Sequence, residues 1–186
     1  MAKNYLELIK NGQADELYVS VFDNHLDNNT DSSYVDVLGE EAEVALMQKA
    51  LAMQRHEADP WLEFIQQYNT KYPFCNKAID VLFDNFDNSK SLPLLISLLS
   101  RFGYSESQGI RLCKIMLQSN DQHLIVQLLQ LLCEQGRIFY PEIHRLLESI
   151  DVRIKDTEYK EHATFAESYR QAIANYRKIN NLERFY

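Results

Sequence analysis

The chain has 186 residues, 46% of them hydrophobic and 25% charged, so it is long enough for one full-sized domain and lies outside the compositional range of disordered proteins. Residues 1–60 contain 12 acidic and 4 basic side chains, whereas residues 61–186 contain 15 of each, so the first third carries the whole net charge of −8. An acidic surface repels phosphate backbones, which argues against nucleic acid and favours a basic partner; the alternative is that the acids only keep the protein in solution.

The acidic third predicts a helical arm that precedes the rest of the protein. Its apolar spacing predicts helices over residues 3–10, 14–26 and 39–58, the second of which also fits a strand. Asn11–Gly12 predicts the turn between the first two helices. The third helix begins with three acids, which the positive end of the helix dipole favours. We therefore predict an acidic arm over residues 1–58, with candidate contacts to a basic partner at Glu40, Glu41 and Glu43.

Helical hairpins are the predicted unit of the remaining chain. Asp59–Pro60 and Pro73 each predict a helix start, because proline at the first helical position loses no hydrogen bond. A pattern of apolar residues closed by glycine occurs twice, 33 residues apart: Leu92, Leu95, Ile96, Leu99 and Gly103, then Ile125, Leu128, Leu129, Leu132 and Gly136. A second helix follows each glycine, starting at the Ser105–Gln108 capping box and at Pro141. The sequence thus predicts repeated helical hairpins between residues 60 and 150.

The most apolar stretch, LPLLISLLSRFG at residues 92–103, is far too short to cross a bilayer. Its main apolar face comprises Leu92, Leu95, Ile96, Leu99 and Phe102. Leu94 and Leu98 add apolar residues beside that face, and Leu124 and Leu131 do the same in the second copy. A helix that is apolar on more than one face is expected to be flanked on both sides, so we predict that these helices form the core.

The last segment predicts a long helix over residues 156–184 that covers the exposed side of the last hairpin. Its tyrosines near one face, Tyr159, Tyr169 and Tyr176, are candidate contacts for a partner or for a second copy of the chain. Residues 153–184 carry seven bases and five acids, a net charge of only +2, which is typical of a solvated helix and not of a phosphate-binding track.

These elements predict an all-α fold of stacked antiparallel helical hairpins over residues 59–186, closed by the long C-terminal capping helix and preceded by the acidic arm. In hairpin length the pattern resembles HEAT and tetratricopeptide-like solenoids over about half of the chain, but it contains none of their signature residues and indicates no particular family. A compact helical bundle is the alternative architecture.

No motif for a metal or a nucleotide is complete. Asp27, Asn29 and Asp31 match the first half of a calcium loop, but Ser32 and Leu38 stand where glycine and a bidentate glutamate are needed. The pairs His144–Glu148 and Glu158–His162 supply only two ligands each, and the glycines do not cluster into a phosphate-binding loop. We therefore predict no cofactor and no metal.

The cysteines, Cys75, Cys113 and Cys133, form no CxxC pair, which predicts buried free thiols in a reducing compartment. The N-terminal residues lack the apolar segment and cleavage site of a secretory signal, and no apolar run of about 18 residues occurs. We expect that the mature protein starts at Met1, that it is cytoplasmic and that it binds no membrane.

With these exclusions, the hypothesis for function is a protein-interaction module: an adaptor, an inhibitor or an assembly subunit that binds a protein or peptide through a helical groove or the acidic surface. One alternative is an enzyme whose residues converge only in the fold, with His144, Glu148 and Cys113 as candidates. The other is a homo-oligomeric structural protein that associates through the tyrosine face of the last helix.

Overall fold

The structure is a computed structural model that describes residues 4–23, 37–119 and 121–134, together with single positions at 142, 145, 146, 149, 174 and 178. Within these ranges every regular element is helical and no strand occurs, which confirms the all-α class. The helices are α1 (Tyr5–Asn11), α2 (Ala14–Tyr18, continued by a π-helix at Val19–Asp23), α3 (Glu40–Ala52), α4 (Arg55–Asn69), α5 (Asn76–Asp84), α6 (Ser91–Phe102), α7 (Glu106–Gln118) and α8 (Gln122–Glu134).

The chain divides into two compact units, residues 1–101 and residues 102–186, called unit 1 and unit 2 below. In unit 1, α3 packs against α1, α4 and α5, while α2 packs against α1 and α4. The buried face of α3 consists of Ala42, Glu43, Leu46, Met47, Ala50 and Leu51. A boundary was expected after residue 58, whereas unit 1 extends to residue 101, because α1 and α3 pack in the same unit as α4 and α5.

Several helix ends form as their local sequence predicts. Gly12 ends α1 in the left-handed conformation, with φ of 80°, and its N–H donates to the carbonyl of Ile9. At the start of α7 the Ser105 hydroxyl accepts from the Gln108 N–H (3.3 Å), while the Ser105 N–H donates to the Gln108 side chain (2.8 Å). This is the predicted capping box. Gly103, with φ of 88°, follows α6 as predicted.

The junction of α3 and α4 differs from the prediction. A single helix over residues 39–58 was expected, but α3 ends at Ala52, and Met53 and Gln54 are extended. The first turn of α4 closes on the carbonyl of Gln54. Pro60 therefore lies inside α4 and does not start a helix, so the predicted start at Asp59–Pro60 is wrong.

Side chains from the α5–α6 loop explain this early end of α3. The Asn88 amide donates to the carbonyl of Leu51 (3.1 Å), and the Lys90 ammonium donates to the carbonyls of Ala50 (2.8 Å) and Met53. These bonds satisfy carbonyls that have no partner within the helix, and the cation also complements the negative end of the helix dipole.

The apolar helix α6 buries a narrower stripe than predicted. Its buried leucines are Leu94, Leu95, Leu98 and Leu99, whereas Leu92 and Ile96 are half-buried. Phe102 is 40% exposed, so its assignment to the core face is wrong.

In unit 2, α7 packs against α8, and the Tyr104 hydroxyl donates to the Leu132 carbonyl (3.1 Å). The buried residues of α8 are Ile125, Leu128, Leu129, Leu131 and Leu132. The helix predicted after Pro141 and the capping helix predicted over residues 156–184 lie outside the described residues, apart from the single positions given above.

Candidate binding clefts beside α4

The three glutamates proposed as partner contacts do not share a surface. Glu40 and Glu41 are exposed in the first turn of α3, and the Glu40 carboxylate forms an ion pair with Lys77 at 2.6 Å. Glu43 is only 2% exposed. Its carboxyl oxygens accept hydrogen bonds from the Tyr68 hydroxyl (3.0 Å) and from the Cys75 backbone N–H (2.7 Å). Glu43 therefore joins α3, α4 and the start of α5 inside the core, where a partner cannot reach it.

The thiols of Cys75 and Cys113 have raised pKa values. Burial raises the pKa of the Cys113 thiol to about 12. Burial is also the largest cause that raises the pKa of Cys75 to about 11, and the nearby Glu43 carboxyl raises it further, although a backbone hydrogen bond from Ala78 opposes the shift. Because the thiolate is the nucleophile, this environment argues against the catalytic role suggested for Cys113. The Cys133 side chain lies outside the described residues.

The other candidate residues lie outside the described residues: Tyr159, Tyr169, Tyr176, His144, Glu148, the calcium-like segment 27–31 and the pair Glu158–His162. In the part of the chain that the structure describes, no three His, Cys, Asp or Glu side chains come together in a way that would hold a metal ion. Likewise, no described helix has the length and apolar character needed to span a bilayer.

A first cleft, the acidic cleft, lies in unit 1 where the first turns of α2 and α4 meet, and has a volume of about 490 Å³. Three exposed acids stand at its edge: Asp15 and Glu16 from α2, and Glu57 from α4. Its apolar lining includes Met53, Pro60 and Trp61. First-turn positions suit carboxylates, since the helix dipole stabilises their charge. The cleft thus combines negative charge with an apolar wall.

Unit 1 has an excess of acidic side chains, and most of its bases make contacts within the unit. Unit 1 has 16 acidic and 8 basic residues, whereas unit 2 has 11 of each, so unit 1 carries the entire net charge of −8. Five of the eight bases make internal contacts: Lys49, Lys71, Lys77, Lys90 and Arg101. Three donate to carbonyl oxygens at the C-terminal ends of α1, α3 and α4, one pairs with Glu40, and one lies over the ring of Phe22.

Among the described residues, no cation lies within ion-pair distance of Asp15, Glu16 or Glu57. The Lys49 ammonium lies 5.2 Å from the centre of the Trp61 ring, which lines the cleft, and donates to the Lys10 carbonyl (3.3 Å). Among the described side chains, the three carboxylates at the edge of the cleft outnumber the Lys49 ammonium beside Trp61, which leaves a negative charge around the cleft.

A second cleft, the apolar cleft, lies on the opposite flank of α4 and has a volume of about 710 Å³. Apolar side chains from α3, α4 and α6 line it: Leu51, Met53, Leu62, Pro93 and Leu94. Polar residues complete its lining: Asp59, Gln66, Asn88, Ser89 and Lys90.

Helical geometry explains why α4 separates the two clefts. At about 100° per residue, Glu57, Pro60 and Trp61 fall on one flank of the helix. Asp59, Leu62 and Gln66 fall on the other flank. Both clefts extend to Met53, which lies just before the N-terminal end of α4.

Neither cleft was predicted from the sequence. Asp15, Glu16 and Glu57 were counted in the acidic third, but 41 positions separate Glu16 from Glu57 and only the packing of α2 against α4 brings them together. The signal that was available for Glu43 is its spacing: Glu43, Leu46, Met47 and Ala50 share one helix face, which marks Glu43 as buried.

Comparison with protein-family models, curated proteins and solved structures finds no match to this chain.

Proposed function

We propose that this chain is a protein-interaction module that binds a basic segment of another protein in the acidic cleft. The observation that carries the proposal is the set of exposed carboxylates around an apolar wall, in a unit of net charge −8 in which five of the eight bases make internal contacts. An adaptor, an inhibitor and an assembly subunit all fit this function.

The chemistry of Lys and Arg suits such a cleft. Their aliphatic stems pack on apolar side chains, here Pro60 and Met53, while their charged ends reach carboxylates. Exposed ion pairs add about 0.2–1 kcal/mol each, so the cleft contributes selectivity and a faster association rate more than high affinity.

The proposal is tested by selecting random short peptides on the immobilised full chain. We expect the selected sequences to be enriched in Lys and Arg. The dissociation constant of the best peptide, measured by fluorescence anisotropy, should rise when the salt concentration increases from about 50 to about 200 mM, because salt screens exposed charges. Selection of peptides without basic enrichment would contradict the proposal.

Matched variants locate the binding site. Glu16→Gln and Glu57→Gln each remove one carboxylate at the edge of the acidic cleft. Glu7→Gln is the control, since Glu7 is exposed in the first turn of α1 and lines neither cleft. The double variant Glu16→Gln/Glu57→Gln should weaken binding about ten-fold, and the control less than about two-fold. Equal effects of the double variant and the control would place binding elsewhere.

We also propose that unit 1 stacks its helices as hairpins in two layers, one with α1, α3 and α5 and the other with α2, α4 and α6. Packing of α3 on α1 and α5, and of α2 on α4, supports this arrangement. Two hydrogen bonds link α4 and its C-terminal cap to α6, from the Asn69 amide to the Ser97 carbonyl (3.4 Å) and from the Arg101 guanidinium to the Thr70 carbonyl (2.7 Å). The free thiols of Cys75 and Cys113 support the proposal of a reducing, cytoplasmic location.

A further inference from the structure

We infer that the two clefts bind one ligand: an extended segment of another protein that places a Lys or Arg in the acidic cleft and an apolar side chain in the apolar cleft. The inference rests on the proposed function and adds to it the second half of the recognised sequence.

The two clefts share one lining residue, Met53. Met53 is half-buried and lies two residues before α4 begins, so its side chain is a surface that both clefts share. The backbone at Met53 and Gln54 is extended and connects two helices, so the helical ridge of α4 begins only after this point. A segment that leaves one cleft at this end reaches the other without crossing the exposed face of α4, on which Glu63 lies.

Hydrogen bonds hold the segment between α3 and α4 in place before any ligand binds. Asn88 and Lys90 bond the last carbonyls of α3 up to Met53, and the Lys90 N–H also donates to the Asn88 side chain (3.0 Å). Binding to a pre-organised surface requires less ordering of the protein, which favours affinity.

The charges that line the two clefts are complementary to a basic segment. Asp59 is exposed in the lining of the apolar cleft, and the ammonium of Lys90 is bound to the end of α3. Because unit 1 has a net charge of −8, it favours a segment in which basic residues flank the apolar residue over a segment in which acidic residues flank it. The apolar side chain gains from leaving water against Leu62 and Pro93, and the bases gain from the acidic surroundings.

The test compares peptides that differ in one feature. Synthetic peptides carry a pair of arginines and one leucine, separated by Gly-Ser spacers of about one to five residues, since an extended chain advances about 3.3 Å per residue. A matched set replaces the leucine by serine. We expect one spacing to bind at least about five-fold more tightly than its serine partner, in fluorescence anisotropy with the full chain.

Protein variants assign that gain to the apolar cleft. Leu62→Gln changes a half-buried residue of the cleft, and Leu92→Gln is the control, a half-buried leucine of α6 that lines neither cleft. Leu62→Gln should abolish the difference between the leucine and serine peptides, whereas Leu92→Gln should preserve it. If Leu62→Gln does not fold, the peptide comparison with unmodified protein still tests whether an apolar side chain at a fixed spacing from the arginines adds to binding.

The outcomes separate the inference from the proposed function. If leucine and serine peptides bind equally at every spacing, or if Leu62→Gln preserves the gain, the inference is wrong. If binding still weakens in Glu16→Gln/Glu57→Gln in either case, the proposed function stands. If that double variant binds arginine peptides as tightly as Glu7→Gln does, the proposed function is wrong as well.

Discussion

Replacement of Glu43 by alanine tests the role that the structure gives to this residue. Glu43 is the buried acid of α3, and its carboxyl group accepts from the Tyr68 hydroxyl and from the Cys75 N–H, which precedes α5. Alanine removes both acceptors at once. The variant therefore probes whether Glu43 holds three helices together or is an ordinary acid of an acidic surface.

The expected cost follows from the two donors. Tyr68 is fully buried, and loss of a buried hydrogen-bond acceptor costs about 1–3 kcal/mol per donor. The Cys75 N–H lies in a partly buried site, so its loss falls at the lower end of that range. Alanine improves helix propensity slightly and removes a buried polar group, which offsets part of the cost. We expect a net loss of about 2–4 kcal/mol, or about 10–20 °C in Tm for a unit of about 100 residues.

Urea denaturation and thermal melts followed by circular dichroism measure this loss. Glu41→Ala is the control, because Glu41 is an exposed acid in the same first turn and should lose at most about 1 kcal/mol. A double-mutant cycle with Tyr68→Phe should give a coupling energy of about 1–3 kcal/mol, since the hydroxyl stabilises the fold only while its acceptor is present. Equal stability of Glu43→Ala and Glu41→Ala, with no coupling to Tyr68, would refute this reasoning.

Three further predictions concern stability. Lys90→Gln should lower the free energy of unfolding by about 1–2 kcal/mol, because the Lys90 ammonium bonds the carbonyls of Ala50 and Met53 at the end of α3. Lys71→Gln, at an exposed position, should lower it by less than half as much, and urea denaturation compares the two variants. Ser105→Ala should cost about 1 kcal/mol through loss of the capping box, measured as a decrease in Tm. The raised pKa values of Cys75 and Cys113 mean that the folded chain keeps protons that the unfolded chain loses above pH 9.0, so stability should decrease from pH 9.0 towards 11. In the double variant Cys75→Ala/Cys113→Ala, the free energy of unfolding measured by urea denaturation should decrease less steeply over this pH range. An equal slope for the double variant and the unmodified chain would contradict the raised pKa values of the two thiols.

Local sequence signals predicted much of the helical framework. The turn at Gly12, the end of α6 at Gly103 and the capping box at Ser105 each depend on residues within four positions of one another. Glycine tolerates positive φ, and a serine–glutamine pair satisfies the donors at a helix start whatever the rest of the fold does. Such features are therefore visible in the sequence alone.

The α3–α4 junction was not predictable in the same way. Met and Gln are good helix formers, so nothing local ends α3 before Met53. The end depends on Asn88 and Lys90, which are 37 residues away from the carbonyls of Leu51 and Met53 that they bond. Proline is common at the first helical position, but this preference is statistical, and tertiary bonds shifted the start of α4.

The candidate clefts depend on the same long-range packing. The acidic character of the N-terminal third was visible in the sequence, but the group Asp15, Glu16 and Glu57 exists only because α2 packs against α4. Composition therefore showed which third of the chain carries the negative charge, whereas the grouping of these three acids around a cleft required the fold.

Binding in the acidic cleft can be observed directly through Trp61, which lines it and is the only tryptophan in the sequence. In the ¹H–¹⁵N spectrum of the labelled full chain, its indole N–H gives a single side-chain signal. Addition of a selected basic peptide should move this signal along a saturating curve with the dissociation constant found by anisotropy, and Glu16→Gln/Glu57→Gln should shift the curve to higher peptide concentrations. A peptide that binds by anisotropy but leaves the Trp61 signal unmoved would show that the partner binds elsewhere.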